Sequence, residues 1–166
     1  METFAPASTC RQVKIQICTQ RPTVFIDMTD QVEGFVADTG VEAGLVNIQT
    51  LHTTTAIVVN EHEPLLLSDF IALIERAAPL PFSYRHDDVR RRTVNVTPGE
   101  RPNGHAHCRA LLLCPSATLN IVDGRVQLGR WQRIFLAELD GPRTREVSMM
   151  VMGQPGAPRM SSGAAR

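Results

Sequence analysis

The sequence lacks the features by which several protein classes are recognised. Its 166 residues contain no run of about 18 apolar residues, so no membrane-spanning helix is expected. The N-terminus METFAPAST has neither the basic start nor the apolar run of a signal peptide, which predicts a cytoplasmic protein. Its 17 Lys+Arg balance 17 Asp+Glu, and a formal net charge of zero argues against binding to nucleic acid or to an anionic membrane.

Several catalytic motifs are missing as well. Lys14 is the only lysine and has no Gly-rich loop beside it, which argues against a P-loop and a Schiff-base lysine. No HExxH, GxSxG or GxGxxG motif occurs. The cysteines Cys10, Cys18, Cys108 and Cys114 form no CxxC pair, so a zinc ribbon is not expected and the four are predicted to be small buried residues. Because Lys14 is the only lysine, phosphate recognition would depend on arginines, backbone amides and hydroxyls.

The apolar residues that are present alternate mostly with period two, which is typical of strands. Strands are predicted in residues 13–17, 23–28, 44–50, 54–59, 109–113, 117–122, 131–139 and 146–152. Helical spacing predicts one main helix over residues 64–77 and one short helix that ends near Gly40. The pattern predicts a compact, β-rich α+β single domain of mostly antiparallel strands.

Turn and boundary signals complete this prediction. Asp30 and Asn60 are candidate helix caps, and hairpin turns are predicted at residues 20–22 and at Asp123-Gly124. The polar segment 78–107 is too long for an ordinary connection, so it is predicted to be functional or disordered. Residues 1–12 are expected to be flexible, residues 13–153 to form the domain, and the Gly/Pro/Ser/Ala-rich residues 154–166 to be disordered.

Five histidines are the clearest chemical signal: His52, His62, His86, His105 and His107. The last two form an HAH pair before a predicted strand, where residues two apart point the same way and could ligate one metal ion. The bland alternative is a set of separate histidines that form local hydrogen bonds. Their number in one small domain favours a site.

Acidic and basic residues offer further candidates. Glu61, Glu63 and Asp69 lie before and within the main helix, where they could act as bases or interact with the helix dipole. The run of arginines at residues 90–92 is interpreted as a solvated loop face. The turn that carries Arg143 could present this side chain to an anion or to solvent.

An ordered set of motifs resembles the YjbQ-like family, whose members are often labelled secondary thiamine-phosphate synthases. The motifs are LHTTTAIVVNE at residues 51–61, the helix aspartate Asp69, YRH at 84–86, NGHAH at 103–107, PS at 115–116, LGRWQ at 128–132 and ELDGPR at 138–143. The resemblance extends over about residues 13–153. It implies a β-rich α+β subunit that forms a homotrimer, with its site in a cleft near the subunit interface.

The resemblance also implies roles for individual residues. It assigns His52, His86 and His107 as metal ligands with an open position, zinc being the favoured ion and Mg²⁺ the alternative beside a diphosphate. It assigns Glu61 and Asp69 as catalytic residues. The residues it assigns to substrate binding are Asn60, Ser116, Trp131, Gln132 and Arg143.

Three functions remain open at this point. The resemblance favours a thiamine-phosphate synthase-like transferase, which joins a pyrimidine-methyl diphosphate to a thiazole phosphate and releases diphosphate. A metal-dependent hydrolase of a small phosphorylated metabolite, with Glu61 or Asp69 as its base, is the second. The third is a protein that binds a phosphate or another small ligand without catalysis.

Overall fold

Two antiparallel sheets form the framework of the protein, whose computed structural model describes residues 8–156. In chain order the strands are β1 (Thr9–Cys18), β2 (Val24–Asp27), β3 (Val41–Thr50), β4 (Thr55–Glu61), β5 (Ser116–Val122), β6 (Arg125–Val126), β7 (Gln132–Glu138) and β8 (Thr144–Pro155). The helices are α1 (Thr29–Thr39), α2 (Pro64–Ala77) and α3 (Gly104–Leu111), with a 3₁₀ turn at Arg85–Asp87. The α+β class and the antiparallel strands are as predicted from the sequence.

The larger sheet has the strand order β1-β8-β3-β5-β6, and the smaller has the order β2-β7-β4. The long strand β8 pairs along one edge with β1 and along the other with β3, so Ser148 lies opposite both Lys14 and Gln49. In the smaller sheet β7 is central, and Glu138 lies opposite both Val24 and Thr55. Strands distant in sequence are therefore neighbours in both sheets.

Strand β7 is buried on both faces and divides the core into two parts. Ile134 and Leu136 join a larger apolar cluster that includes residues of β3, β8 and α1. Ala137 and the following Leu139 pack instead with Ile74 of α2 and Ala106 of α3. This double burial explains why the sequence reads here as a continuous apolar run rather than as an alternation.

Several local predictions are confirmed. Helix α2 has the predicted bounds. Helix α1 ends at Thr39 and is capped by Gly40, whose φ of 68° places it in the left-handed region. Asp123 and Gly124 have φ values of 51° and 74° and connect β5 to β6 in a hairpin.

The strand predicted at residues 109–113 is wrong, because this segment belongs mostly to helix α3. Ala106 and Ala110, about one helical turn apart, both pack against the smaller sheet. On a helix, residues two apart point in different directions. The predicted arrangement of His105 and His107 on one strand face is therefore wrong as well.

The turn at residues 20–22 does not close a hairpin, because β1 pairs with β8 whereas β2 pairs with β7. The chain crosses there from one sheet to the other. This crossing is held to the turn that precedes β8, since the Thr19 N–H donates to the Arg143 carbonyl at 2.9 Å and the Gly141 N–H donates to the Pro22 carbonyl at 3.2 Å.

The residues that satisfy the N-terminal ends of α1 and α2 also differ from the two predicted caps. The Thr29 N–H at the start of α1 donates to the Asp27 carboxylate at 2.9 Å, so Asp27 rather than Asp30 satisfies this end. At α2 the carboxylate of Glu63 accepts hydrogen bonds from the N–H groups of the second and third helical residues at 2.9 and 2.7 Å. Glu63, and not Asn60, is therefore the N-cap.

The ordered strands extend beyond the predicted domain boundaries. Strand β1 begins at Thr9, within the segment expected to be flexible, and β8 continues through Gln154 to Pro155. Gly153 pairs with both Thr9 and Gly44, and a Cβ at Gly153 would lie 2.4 Å from the Ala43 carbonyl oxygen. A glycine there allows the strands to pack closely. Residues 1–7 and 157–166 lie outside the described residues.

Two further predictions concern exposure and the membrane. All four cysteines are exposed, so the prediction that they are small buried residues is wrong. Among residues 8–156 no helix has the length and apolar character needed to cross a membrane.

Candidate functional site

One polar pocket of about 430 Å³ collects basic side chains from distant parts of the chain. It is lined by three histidines and three arginines: His52, His86, His107, Arg92, Arg143 and Arg145. They come from the β3–β4 connection, the long segment before α3, α3 itself, the turn before β8 and β8. The three histidines that the resemblance grouped are thus brought to one place.

Each pocket histidine has a defined environment. The Glu146 N–H donates to His52 Nε2 at 2.7 Å, which fixes that nitrogen as an acceptor. The rings of His86 and His107 contact each other edge to face with centroids 4.6 Å apart. Arg92 NH1 lies 3.0 Å from His86 Nε2. These contacts restrict the rotation of the three imidazole rings.

Burial and nearby positive charge keep two of these imidazoles neutral. Burial lowers the pKa of His52, and the guanidinium of Arg145 lowers it further. Burial likewise lowers the pKa of His107, with a smaller contribution from His86. His105 lies outside the pocket on α3 and is 8% exposed; burial and then Arg109 lower its pKa too.

The lowered pKa values of His52, His105 and His107 predict that acid destabilises the fold. A histidine whose pKa is lower in the folded than in the unfolded state takes up protons preferentially when unfolded, so stability falls as pH drops below about 6.5. The melting temperature of the wild type should decrease between about pH 7.5 and about pH 5.5. A double His105→Gln, His107→Gln variant should show a shallower decrease, measured relative to its own value at the higher pH. An unchanged slope would contradict this account.

The three arginines differ in how much of their charge is already paired. Arg145 is 3% exposed, donates to both Glu138 oxygens and reaches Thr54 Oγ1 at 3.1 Å. Arg92 is bound to Glu100, which also lines the pocket. Arg143 is 39% exposed and is paired with the Asp140 carboxylate at 2.8 Å. It is thus the most open pocket guanidinium, although it retains one partner.

The donor set does not fit a zinc ion held by three histidines in the arrangement seen here. His52 Nε2 accepts a backbone hydrogen bond, and the cationic Arg92 lies against His86 Nε2. A guanidinium at that distance opposes a divalent cation on the same nitrogen. Within residues 8–156, no three His, Cys, Asp or Glu side chains are grouped so as to hold a metal ion. Binding of zinc or Mg²⁺ stays a prediction.

Several predicted site residues lie away from this pocket, at the other end of the smaller sheet. Asn60 and Glu61 end β4, and Glu61 pairs with Gln132 at the start of β7. The pocket end of the same strands is marked by the pair Thr55 and Glu138, so the two ends are about 20 Å apart.

The side chains at this far end have local partners. Gln132 Oε1 accepts the Gly129 N–H at 2.7 Å, and Asn60 Oδ1 accepts the Glu61 N–H at 2.9 Å. Trp131 is 60% exposed with the Arg130 guanidinium 4.5 Å from its ring centre, so it is not the core anchor that a lone tryptophan often is.

The other two predicted site residues also lie outside the histidine pocket. Asp69 lines a separate cavity of about 810 Å³ between α2 and the segment that follows it, together with Arg76 and Arg109. Ser116 begins β5 and pairs with Gln49. Of the predicted residues, His52, His86, His107 and Arg143 therefore share one pocket.

Sequence reasoning missed several pocket residues. The prediction that Arg92 belongs to a solvated loop face is wrong, because its side chain is 13% exposed and folds back onto His86 and Glu100. Arg145 and Asn103 were not singled out, although Asn103 belongs to the NGHAH motif. The signal that could have found Arg92 is the length of its loop, because long ordered loops in small domains are usually functional.

The fold and the pocket define a class: an α+β domain of two packed antiparallel sheets with a pocket rich in histidine and arginine. The family profile described as "UPF0047 protein YjbQ-like" matches residues 13–154, and the chain belongs to this family. A UPF0047 protein of Methanothermobacter thermautotrophicus is 37% identical over 142 residues, which cover 86% of this chain and 92% of the relative. The UPF0047 protein YugU of Bacillus subtilis is 31% identical over 140 residues, covering 84% and 97%.

Solved structures show the same fold. A YbjQ-like protein of unknown function from Sulfolobus solfataricus superimposes with a TM-score of 0.80 at 32% identity, covering 89% of this chain and all of that one. A hypothetical protein from Aeropyrum pernix gives a TM-score of 0.74 at 32% identity, covering 87% and 99%. The family resemblance drawn from the motifs is thereby confirmed.

Proposed function

We propose that the histidine–arginine pocket binds the phosphate of a small phosphorylated metabolite and that the protein is a transferase of the thiamine-phosphate synthase type. The observation that carries the first part is the convergence of three arginines and three histidines from separate segments on one pocket. Guanidinium groups match phosphate oxygens in geometry and charge. The type of reaction comes from the motif resemblance alone.

The chemistry needs charge stabilisation more than a base. In the proposed reaction the C–O bond between the pyrimidine-methyl carbon and the diphosphate breaks, a C–N bond to the thiazole nitrogen forms, and diphosphate leaves with the bonding electrons. The guanidinium of Arg143 is placed to offset the charge that develops on the leaving group. The neutral imidazoles of His52 and His107 can each donate one N–H hydrogen bond to a phosphate oxygen.

The partners proposed with this function are the phosphorylated metabolite and two further copies of the chain. The support for a homotrimer is apolar surface on α2, on α3 and in the segment after α2, where four leucines are at least 58% exposed: Leu65, Leu73, Leu80 and Leu111. A cytoplasmic location remains part of this proposal. The absence of nucleic-acid or membrane binding is also part of it and is supported by the zero net charge.

The deciding experiment is a turnover assay with the purified protein. Given both substrates, it is expected to form thiamine phosphate and diphosphate, with Mg²⁺ and then with a panel of other divalent metals. Release of inorganic phosphate from a single substrate would instead identify a hydrolase. That alternative needs Glu61 or Asp69 as its base, and neither lies at the pocket, where the lining carboxylate is Glu100. Binding without any product would identify a non-catalytic binding protein.

A further inference from the structure

A buried arginine on α3, Arg109, has no carboxylate partner among residues 8–156. Arg109 and Arg145 are both 3% exposed, and Arg145 is paired with Glu138. Arg109 instead donates to two neutral oxygens, from its Nε to the Ala78 carbonyl at 2.9 Å and from its NH1 to Thr23 Oγ1 at 3.2 Å. Arginines are almost never fully buried without a paired anion, so the charge of Arg109 needs an explanation.

The guanidinium of Arg109 is within reach of a ligand. Its remaining nitrogen, NH2, has no hydrogen-bond partner among residues 8–156, yet it is not one of the fully covered unpaired atoms in this part of the chain. NH2 therefore keeps some accessible surface. Arg109 lines the cavity of about 810 Å³ between α2 and the segment that follows it, which we call the α2 groove.

The remaining walls of the α2 groove are largely apolar. Ala72 of α2 forms one side, and Pro79, Leu80 and Pro81 of the following segment form the other. Leu80 is 65% exposed, so its side chain is available to a bound molecule. The groove thus combines one buried cation with an apolar surface, which suits an anion that carries a hydrocarbon chain.

Acidic residues limit how much negative charge this groove can accept. Burial lowers the pKa of Arg109, and the nearby Glu75 carboxylate partly opposes this effect without forming an ion pair. Asp69 lines the groove as well. A dianion such as phosphate would face both carboxylates, whereas a monocarboxylate carries less charge and matches the planar guanidinium.

We propose that the α2 groove binds a small organic acid that has one carboxylate and an apolar chain. The carboxylate accepts a hydrogen bond from NH2 of Arg109 and supplies its missing counter-ion, and the chain lies against Leu80 and the two prolines. The groove shares no lining residue with the histidine–arginine pocket, so this site is independent of the proposed function.

The test compares hexanoate with its neutral analogue hexanamide on the full chain, in phosphate-free buffer. Titrations followed by NMR should show that the wild type binds hexanoate at least about tenfold more tightly, the lower end for a hydrogen bond to a charged group. The shifted amide signals should include those of Ala72 and Leu80 and not those of His52 and His107. Added inorganic phosphate should leave the hexanoate affinity unchanged.

Two variants test the role of Arg109 and its groove. Arg109→Met removes the charge and should reduce hexanoate binding to the level of hexanamide. Arg76→Met is its control, because Arg76 lines the same groove but is exposed, and its loss should change the affinity less than about threefold. Ala72→Phe should block the groove, whereas Ala37→Phe, at an exposed position on α1 outside the groove, should bind hexanoate like the wild type.

The outcomes that would overturn the site are distinct. They are equal affinity of the wild type for hexanoate and hexanamide, no binding of either, or unchanged hexanoate binding in Arg109→Met. A lower molar mass of Arg109→Met in light scattering would show that a carboxylate of a second copy pairs with Arg109, which also contradicts a small-molecule site. If thermal melting shows that Arg109→Met is unfolded, hexanoate binding that persists in folded Ala72→Phe refutes the proposal.

Discussion

Replacing the buried Glu138 by leucine is expected to lower the free energy of unfolding by about 3–5 kcal/mol, a large part of the stability of a domain of this size. Glu138 is fully buried and accepts hydrogen bonds from Arg145, from Thr19 and from two backbone N–H groups. The variant would leave the Arg145 guanidinium, which is 3% exposed, without its carboxylate. An unpaired buried charge costs far more than the pair gains.

The pKa of Glu138 reflects the same arrangement. Burial by itself would raise the pKa of this carboxyl, but hydrogen bonds from Arg145 and from the Asp140 N–H hold it below its ordinary value. The carboxylate therefore stays ionised in the folded protein. Its stabilising contribution is lost only when acid protonates it, at a pH below the ordinary pKa of a glutamate.

Urea unfolding followed by circular dichroism measures this effect. Asp30→Ala is the matched control, because the Asp30 carboxylate is 82% exposed and its pair with Arg133 should contribute less than about 1 kcal/mol. The double variant Glu138→Leu, Arg145→Met should recover much of the loss, since no unpaired charge remains. A loss for Glu138→Leu as small as that of the control would show that Arg145 finds another partner or solvent.

Replacing Arg143 by alanine is expected to weaken the binding of inorganic phosphate by about 10- to 100-fold, the range for a hydrogen bond to a charged group. Arg143 is the most exposed pocket arginine, and its removal also leaves the Asp140 carboxylate facing the incoming anion without its closest cation. Both effects act in the same direction.

Calorimetric titration with phosphate measures the affinity, and Arg125→Ala is the control. Arg125 lies exposed on β6, outside the pocket, so this control removes one positive charge without touching the site. Affinities of both variants within about twofold of the wild type would show that Arg143 does not contact the anion.

The elements that could be predicted from the sequence are those whose cause is local. Helix α2 has a proline at its first position and apolar residues at helical spacing, and both signals lie within the segment itself. The crossing at residues 20–22 could not be predicted in this way. Two strands joined by a short turn suggest a hairpin, whereas here each strand pairs with one more than 100 residues later in the chain.

The features of the site likewise divide into those with a local sequence signal and those without one. His52, His86 and His107 could be grouped because each belongs to a recognisable motif, and the structure places them at one pocket. The distance of Glu61 from that pocket could not be foreseen, because β4 begins at the pocket and carries Glu61 to its opposite end. The burial of Arg92 depends on where its loop folds, which no local pattern determines.

The pairing of Thr9 with Gly153 has a topological consequence. Residues opposite each other in an antiparallel pair have Cα atoms about 5 Å apart, so the first and last strands of the domain meet side by side. A short peptide linker could therefore join these ends and turn the domain into a closed ring. Opening that ring within residues 89–99, which lie outside every helix and strand, would give a circular permutant with all strand pairs intact, although the cut would fall in the segment that carries the pocket residue Arg92.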